Sequence, residues 1–235
     1  MTEATRKAAF WMGVRHGLPF LFLMVPFGML FGVVATEAGL DLVKTMAFSV
    51  IVIAGAAQFT AVALMQENAP TFIVLVTSLA VNLRMAMYSA ALTPHLGGAG
   101  NWQKTLIAYF MVDQAFALSS VQYDKTPDWP LADKLAYYFG AILPVAPAWY
   151  FSTLAGAILG ETIPEALALD FALPIVFIAL VAPALRTLAH VAAAATSVIG
   201  ALAFAFIPFS LGLLVAALLA MIVGARVELW QEQQA

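Results

Sequence analysis

Cysteine is absent from the sequence, which excludes a disulfide framework, thiolate metal sites and thiol chemistry. Charge is scarce: 10% of the 235 residues are Asp, Glu, Lys or Arg, against about 25% in soluble domains. That small set sums to −3 at neutral pH, so there is no basic surface of the kind that binds nucleic acid. Histidine occurs only as His16, His95 and His190, without HExxH or any paired metal spacing. No P-loop, GxSxG or dinucleotide-binding glycine motif occurs. Neither a resident metal, a cofactor nor a catalytic centre is expected. What the chain has in abundance is apolar residues, 63% of the total, with mean hydropathy +0.95. A soluble domain of this size still exposes roughly a quarter to a third of its chain surface. So much apolar surface requires a bilayer as its second apolar solvent.

The composition therefore predicts an all-α, polytopic transmembrane bundle, a single integral membrane domain over residues 1–235 in contact with lipid. Residues 1–16 read as an interfacial segment, with Lys7, Phe10, Trp11 and Val14 on one helical stripe. A span needs about 20 apolar residues. Charge-free runs place spans near 17–36, 45–66, 71–92, 104–122, 135–159, 168–185, 188–206 and 209–225. The last two are divided at Ile207-Pro208, and the count is eight, or seven if that run crosses once. Under the eight-span count seven Lys and Arg lie on the side of the N-terminus and only Lys44 and Lys104 lie opposite, which places both termini in the cytoplasm. The same count puts residues 100 and 128 on opposite sides.

Seven prolines fall in apolar segments, where each frees a backbone carbonyl that lipid cannot satisfy. Pro26, Phe27 and Gly28, with Gly32 completing a GxxxG spacing, mark an expected helix break with close backbone approach. In the second span Gly55, beside Ala56 and Ala57, is a second expected broken-helix terminus, and Gln58 brings an amide near mid-depth. That amide either bonds a neighbouring helix or contacts substrate. The third span carries Asn82 and Arg84, which point in opposite directions on a regular helix. A mid-span arginine costs at least about 2.5–3.5 kcal/mol on insertion scales. Asp113 in the fourth span is its expected partner. The two are either a structural pair or a handle for charged substrate or a proton. Phe27, Phe59 and Phe116 are candidate walls of an apolar pocket. A weak repeat aligns Leu30, Gly32 and Glu37 with Leu154, Gly156 and Glu161 at constant offset, in segments that run in the same direction.

Taken together and in order, GLPFLFLMVPFGMLFGVVATEAG, AGAAQF, NLRMAMYSAALTPHL and DQAFAL resemble the AzlC family, the large subunit of branched-chain amino-acid exporters. The resemblance runs from about residue 12 to 226. It implies a multispan bacterial inner-membrane protein that works with a small AzlD-type membrane subunit and exports valine, leucine, isoleucine and sometimes methionine. A higher oligomer is compatible with it. Where the family pattern has Asp-Glu, this chain has Asp113-Gln114, and the segment after His95-Leu96 continues Gly97-Gly98 rather than with a basic residue. The expected function is a secondary transporter, proton-coupled through Asp113, since the chain has no ATP-binding segment. A permease subunit of an ATP-driven transporter and a non-transporting scaffold are the alternatives.

Overall fold

In this computed structural model residues 3–160, 185, 187–208 and 211–233 are described. The expected span at 168–185, with Pro174, Pro183, Glu161, Glu165 and Arg186, lies outside them, except for Leu185. The described residues form helices and turns only. The chain divides into two compact units, residues 1–62 with 78–163, and residues 63–77 with 164–235. Among the described residues, four helical stretches are long and apolar enough to cross a membrane: Thr5–Glu37, Thr71–Leu96, Leu131–Gly160 and Leu211–Gln231.

The first unit is built on two long parallel helical rods. One consists of α1 (Glu3–Gly17), a 3-10 turn opened by Pro19 (Leu18–Phe20) and α2 (Leu21–Glu37). The other is α8 (Leu131–Gly160). Contacts run in register from one end to the other: Phe10 against Gly140, Gly17 against Ala141 and Pro144, Gly28 against Ser152, and Gly32 against Thr153 and Gly156. At the far end, Gly160 meets Val33 and Thr36. A side chain at Gly156 would collide with the backbone of Met29, so this contact is made by main chain on main chain. Of the weak repeat in the sequence, Gly32 and Gly156 both lie in this seam, Gly32 against Thr153, Gly156 and Ala157, and Gly156 against Met29. Residues read as an interfacial segment belong to α1, whose Ala9, Gly13 and Gly17 are buried against α8 while Trp11 faces outward. His16 Nδ1 lies 2.7 Å from the Tyr137 hydroxyl and joins the same pair.

Pro26 does not break α2, which runs through it. Pro94 lies inside α5, and Pro144 and Pro147 lie inside α8. A proline removes one donor only, and the neighbouring turns carry the helix across. The interruptions fall elsewhere. The expected second span is two half-helices, α3 (Leu42–Ile51) and α4 (Gly55–Gln66), separated at Val52-Ile53-Ala54. The expected fourth span is α6 (Asn101–Tyr109) and α7 (Asp113–Lys125), separated at Phe110-Met111-Val112. At the separations Val52 and Val112 leave the helical region, with φ of −122° and −126°.

Neither interrupted helix is straight. Collinear halves would hold Ser49 and Gln58 about 13 Å apart or more at 1.5 Å per residue, beyond the reach of their side chains. They hydrogen-bond at 3.4 Å, so the chain turns back between them. The second case is plainer. Gly98, before α6, lies against Leu131, and Tyr123, near the end of α7, donates to the Lys134 carbonyl at 2.8 Å. Both ends of the α6–α7 segment therefore sit at the start of α8. The α3–α4 hairpin enters from the other end, because it follows α2 after four residues and reaches Thr153 through Ser49 at 3.1 Å. Two helix hairpins thus enter this unit from opposite ends, and residues 45–66 and 104–122 fold back instead of running straight as the sequence suggested. Between the two hairpins in sequence runs α5 (Thr71–Leu96), whose His95 lies 3.4 Å from Lys134 Nζ at the α8 start. Asp41 caps α3, accepting from the Lys44 backbone at 2.8 Å and pairing with its ammonium at 2.7 Å. Those Lys44 hydrogen bonds hold the Asp41 carboxyl below its ordinary range, so the cap is present at neutral pH and is lost only as pH falls through that lowered value.

In the second unit α9 (Leu188–Ala203) and α10 (Leu211–Glu232) form an antiparallel pair, Gly200 facing Ala216 and Gly224 facing Ala193. Thr187 caps α9 through the His190 N–H at 3.2 Å. Pro208 lies in the turn between these helices, where the sequence placed the division.

The hairpins regroup the charges of the first unit. Of this unit's described cations, Arg6, Lys7, Arg15, Lys104, Lys125 and Lys134 lie toward the end where α8 begins, Arg84 lies midway along α5, and Lys44 lies at the other end beside Asp41 and Glu37. Reporter fusions at residues 100 and 128 are expected to report the same side, the cytoplasm, rather than opposite sides. Opposite signals would mean that α6–α7 crosses. Separately, Gly156→Val is expected to cost more than the about 1–3 kcal/mol of ordinary overpacking, because the obstacle is backbone. Loss of the monodisperse peak in size-exclusion chromatography would register it.

Candidate functional site

A helix that stops inside a membrane leaves carbonyls without intrahelical donors, and these need other partners. At the end of α3, Ala54 N–H bonds Val52 rather than Val50. The Val50 carbonyl accepts instead from the Tyr109 hydroxyl at 2.5 Å. At the end of α6, Met111 N–H bonds Ala108, and the Ile107 carbonyl accepts from the Tyr138 hydroxyl at 2.9 Å. Tyr109 is the last residue of α6, so the first bond ties one hairpin tip to the other. Its oxygen also lies 2.8 Å from that of Tyr150 on α8. The two tips therefore meet beside the middle of α8.

Around the α3–α4 tip the side chains form an aromatic box with a polar floor. Phe27 packs on Phe59 with ring centroids 5.0 Å apart and on Trp149 at 5.9 Å. Phe31 packs edge-on against Phe59 at 5.4 Å and stacks near Trp149 at 6.2 Å. Gly55 opens α4 against the Phe27 and Trp149 rings, which leave no room for a larger residue. Beneath the rings Gln58 donates to Ser49, which is bonded to Thr153. Gln58 is fully buried and Trp149 is 3% exposed, yet Gln58 Oε1 and Trp149 Nε1 have no hydrogen-bond partner among the described residues. The buried Thr45 hydroxyl, one turn before Ser49, is in the same position.

The α6–α7 tip carries the charges. Asp113 is the first residue of α7, where the helix dipole favours a carboxylate. It pairs with Arg84 Nη1 on α5 at 3.1 Å. The side chains are 36% and 43% exposed, so the pair is not sealed inside the protein. Arg84 Nε and Asp113 Oδ1 have no further partner among the described residues. One turn along, Tyr88 stacks on Phe116 at 4.1 Å and 7° and lies within electrostatic reach of both charges.

The expected site residues thus fall into two groups. Phe27, Gly55, Gln58 and Phe59 come together in the aromatic box. Arg84, Asp113 and Phe116 come together at the other tip, so Phe116 does not share a wall with Phe27 and Phe59. Pro26 faces outward from an unbroken helix. Gly28 packs on Ser152 and the Trp149 carbonyl and is consumed by the α2–α8 seam. Asn82 is half-buried on α5 and its Oδ1 has no partner among the described residues. Gly28, Gly32 and Gly55, the small residues that would let another helix approach, are covered by this chain's own helices and rings. Sequence reasoning missed Ser49, Tyr109, Tyr138 and Thr153. It did not place Trp149 in the site either, although a tryptophan well inside an apolar segment, away from the interfaces where tryptophan concentrates, was an available signal.

Two substitutions test these tips. Tyr109→Phe leaves the Val50 carbonyl without its donor and is expected to cost about 1–3 kcal/mol, measured as a lowered thermal midpoint. Arg84→Ala is expected to impair folding, and adding Asp113→Asn to restore it, since removing both charges leaves no orphan. A double variant no better folded than Arg84→Ala would contradict a purely pairwise role.

Residues 19–163 match the family model described as AzlC protein. Among curated proteins, the inner membrane protein YgaZ of Escherichia coli (strain K12) is 25% identical over 185 residues, covering 74% of this chain and 72% of that protein. An uncharacterized membrane protein of Helicobacter pylori (strain ATCC 700392 / 26695) is 26% identical over 166 residues, 70% of this chain and 71% of its own. An uncharacterized membrane protein of Archaeoglobus fulgidus is 27% identical over 230 residues, 93% of this chain and 95% of its own. No solved structure matches.

Proposed function

This chain belongs to the AzlC family, and from that premise we propose that it is a secondary transporter exporting branched-chain or similar small apolar amino acids from the cytoplasm. The relatives are named as membrane proteins, one of them of the inner membrane, which supports a bacterial cytoplasmic membrane as its place. The observation that carries the reading is the meeting of two oppositely entering helix hairpins beside α8, one tip lined by aromatics and buried hydroxyls, the other bearing an ion pair. Interrupted helices at mid-depth supply polar groups for a zwitterion without adding net charge. The aromatic box supplies apolar contact for a branched side chain.

Asp113 is the coupling group in this reading. Its carboxylate heads a half-helix and is held by Arg84 from another helix, so any movement of the tip relative to α5 changes its partner. A carboxylate that exchanges partners in this way can exchange a proton with the same motion. The small AzlD-type subunit remains part of the proposal, carried by the family resemblance, and it docks on a face other than the glycine stripes. No catalytic chemistry is assigned to the chain.

Transport of labelled valine into proteoliposomes, with and without the small subunit, tests the whole reading. Export activity is expected only with both chains, and full activity from this chain alone would remove the partner. Asp113→Asn is expected to abolish uphill export driven by a pH gradient while leaving the protein inserted. Wild-type pH dependence in that variant would leave Asp113 with a structural role only. Dependence on ATP and on a co-purifying nucleotide-binding protein would favour a permease subunit instead.

A further inference from the structure

The two hairpin tips present the same kind of helix end and treat it differently. Each second half, α4 and α7, begins at a tip, so each directs its first N–H groups and its positive dipole end there. At α7 the chain supplies its own anion, Asp113, and balances it with Arg84. At α4 there is none: the first turn is Gly55-Ala56-Ala57-Gln58 and holds no acidic residue. Gln58 N–H is already bonded to the Ala54 carbonyl. The Gly55, Ala56 and Ala57 N–H groups precede it and have no acceptor within their own helix.

Two side chains beside this helix end share the unmet demand. Trp149 packs its ring on Gly55, is almost wholly buried and has no acceptor for its indole N–H. Gln58, fully buried in the same turn, has its amide nitrogen engaged by Ser49 and its oxygen unpartnered. A buried donor or acceptor left unmade loses its hydration without replacement, and these lie against the first turn of a half-helix. The unmet set is a row of backbone donors and an indole donor, with one amide acceptor close by, under the rings of Phe27, Phe31 and Phe59. We propose that the α4 N-terminus is a carboxylate subsite, with Trp149 Nε1 as an additional donor and Gln58 Oε1 as acceptor for an ammonium group on the same ligand. The cargo's carboxylate then plays at α4 the part that Asp113 plays at α7. The assignment rests on the reading of the cargo as a small amino acid, and deepens it by saying which end of the molecule goes where.

The test compares three molecules of one carbon skeleton on the purified protein, by calorimetry and thermal shift. Leucine has both charged groups, 4-methylpentanoate lacks the ammonium, and 3-methylbutylamine lacks the carboxylate. Leucine and 4-methylpentanoate are expected to bind and compete with each other, and the amine to fail. Trp149→Phe keeps a ring and removes the donor, and is expected to weaken both acids about tenfold, the scale of one hydrogen bond to a charged group. Gln58→Glu puts the chain's own carboxylate beside the same N–H groups and is expected to abolish binding of both, which keeps the test open should Trp149→Phe not fold. If the amine binds as well as leucine and the acid does not, the carboxylate subsite falls and the amino-acid reading stands. If 4-methylpentanoate binds and leucine does not, the subsite stands and the amino-acid reading falls. Binding of neither acid, or binding undiminished in Gln58→Glu, overturns the subsite.

Discussion

A carbonyl freed at membrane depth cannot be left to lipid, and much of this fold follows from how two such carbonyls are satisfied. Val50 and Ile107 stand at the ends of half-helices whose successors turn away, and tyrosine hydroxyls reach each of them. Because Tyr109 itself ends the second half-helix, satisfying the first break fixes the position of the other. Tyr138 and Tyr150 then fix the end of α6 against α8, and Tyr109 carries that hold to the other tip. The hairpins are thereby placed by hydrogen bonds from outside themselves, which is what allows backbone to be irregular at this depth.

α8 can hold both tips because one of its faces is already committed. Glycines on α1, α2 and α8 bring the two rods into backbone contact along most of their length. Contacts between small residues suit a membrane, where burying apolar surface between helices gains little over leaving it in lipid and close dispersion contact drives association. The parallel direction of the rods has a topological consequence. Two rods of one direction, with one further helix, α5, between them in sequence, leave the intervening hairpins to return to the ends they came from. The regrouped lysines and arginines of the first unit agree with that geometry without having been used to derive it.

The helical class, the apolar stretches at 17–36, 71–92 and 135–159, the Arg84–Asp113 pairing and the turn at Pro208 were legible in the sequence. So were four residues of the aromatic box, though not that Phe116 belongs elsewhere. The breaks were sought at Pro26-Gly28 and at Gly55, because proline and glycine carry a local signal; α2 runs through the first, whereas α4 begins at the second. Val52-Ile53-Ala54 and Phe110-Met111-Val112 carry almost none, as β-branched residues disfavour helix only slightly. What stabilises each break is a tyrosine distant in sequence, Tyr109 for Val50 and Tyr138 for Ile107. A charge-free run of twenty residues reads the same whether it crosses or doubles back, so the span count inherited that ambiguity. The offset repeat was visible but had no meaning until Gly32 and Gly156 were found in one seam.

The tips differ in charge but are joined by a bond, and that combination constrains how either can move. Displacing the α3–α4 hairpin carries the Val50 carbonyl away from Tyr109 or pulls the end of α6 with it. Displacing the α6–α7 hairpin strains the same bond from the other side and shifts Asp113 against Arg84. In the carrier reading proposed above, occupancy at the uncharged tip and pairing at the charged tip are linked through one hydroxyl, and no long-range pathway is needed to connect them. A carrier requires that cargo and driving ion be felt by the same moving part. In that reading the shared part is the junction of two hairpins, each stabilised by bonds that the other one, or α8, supplies.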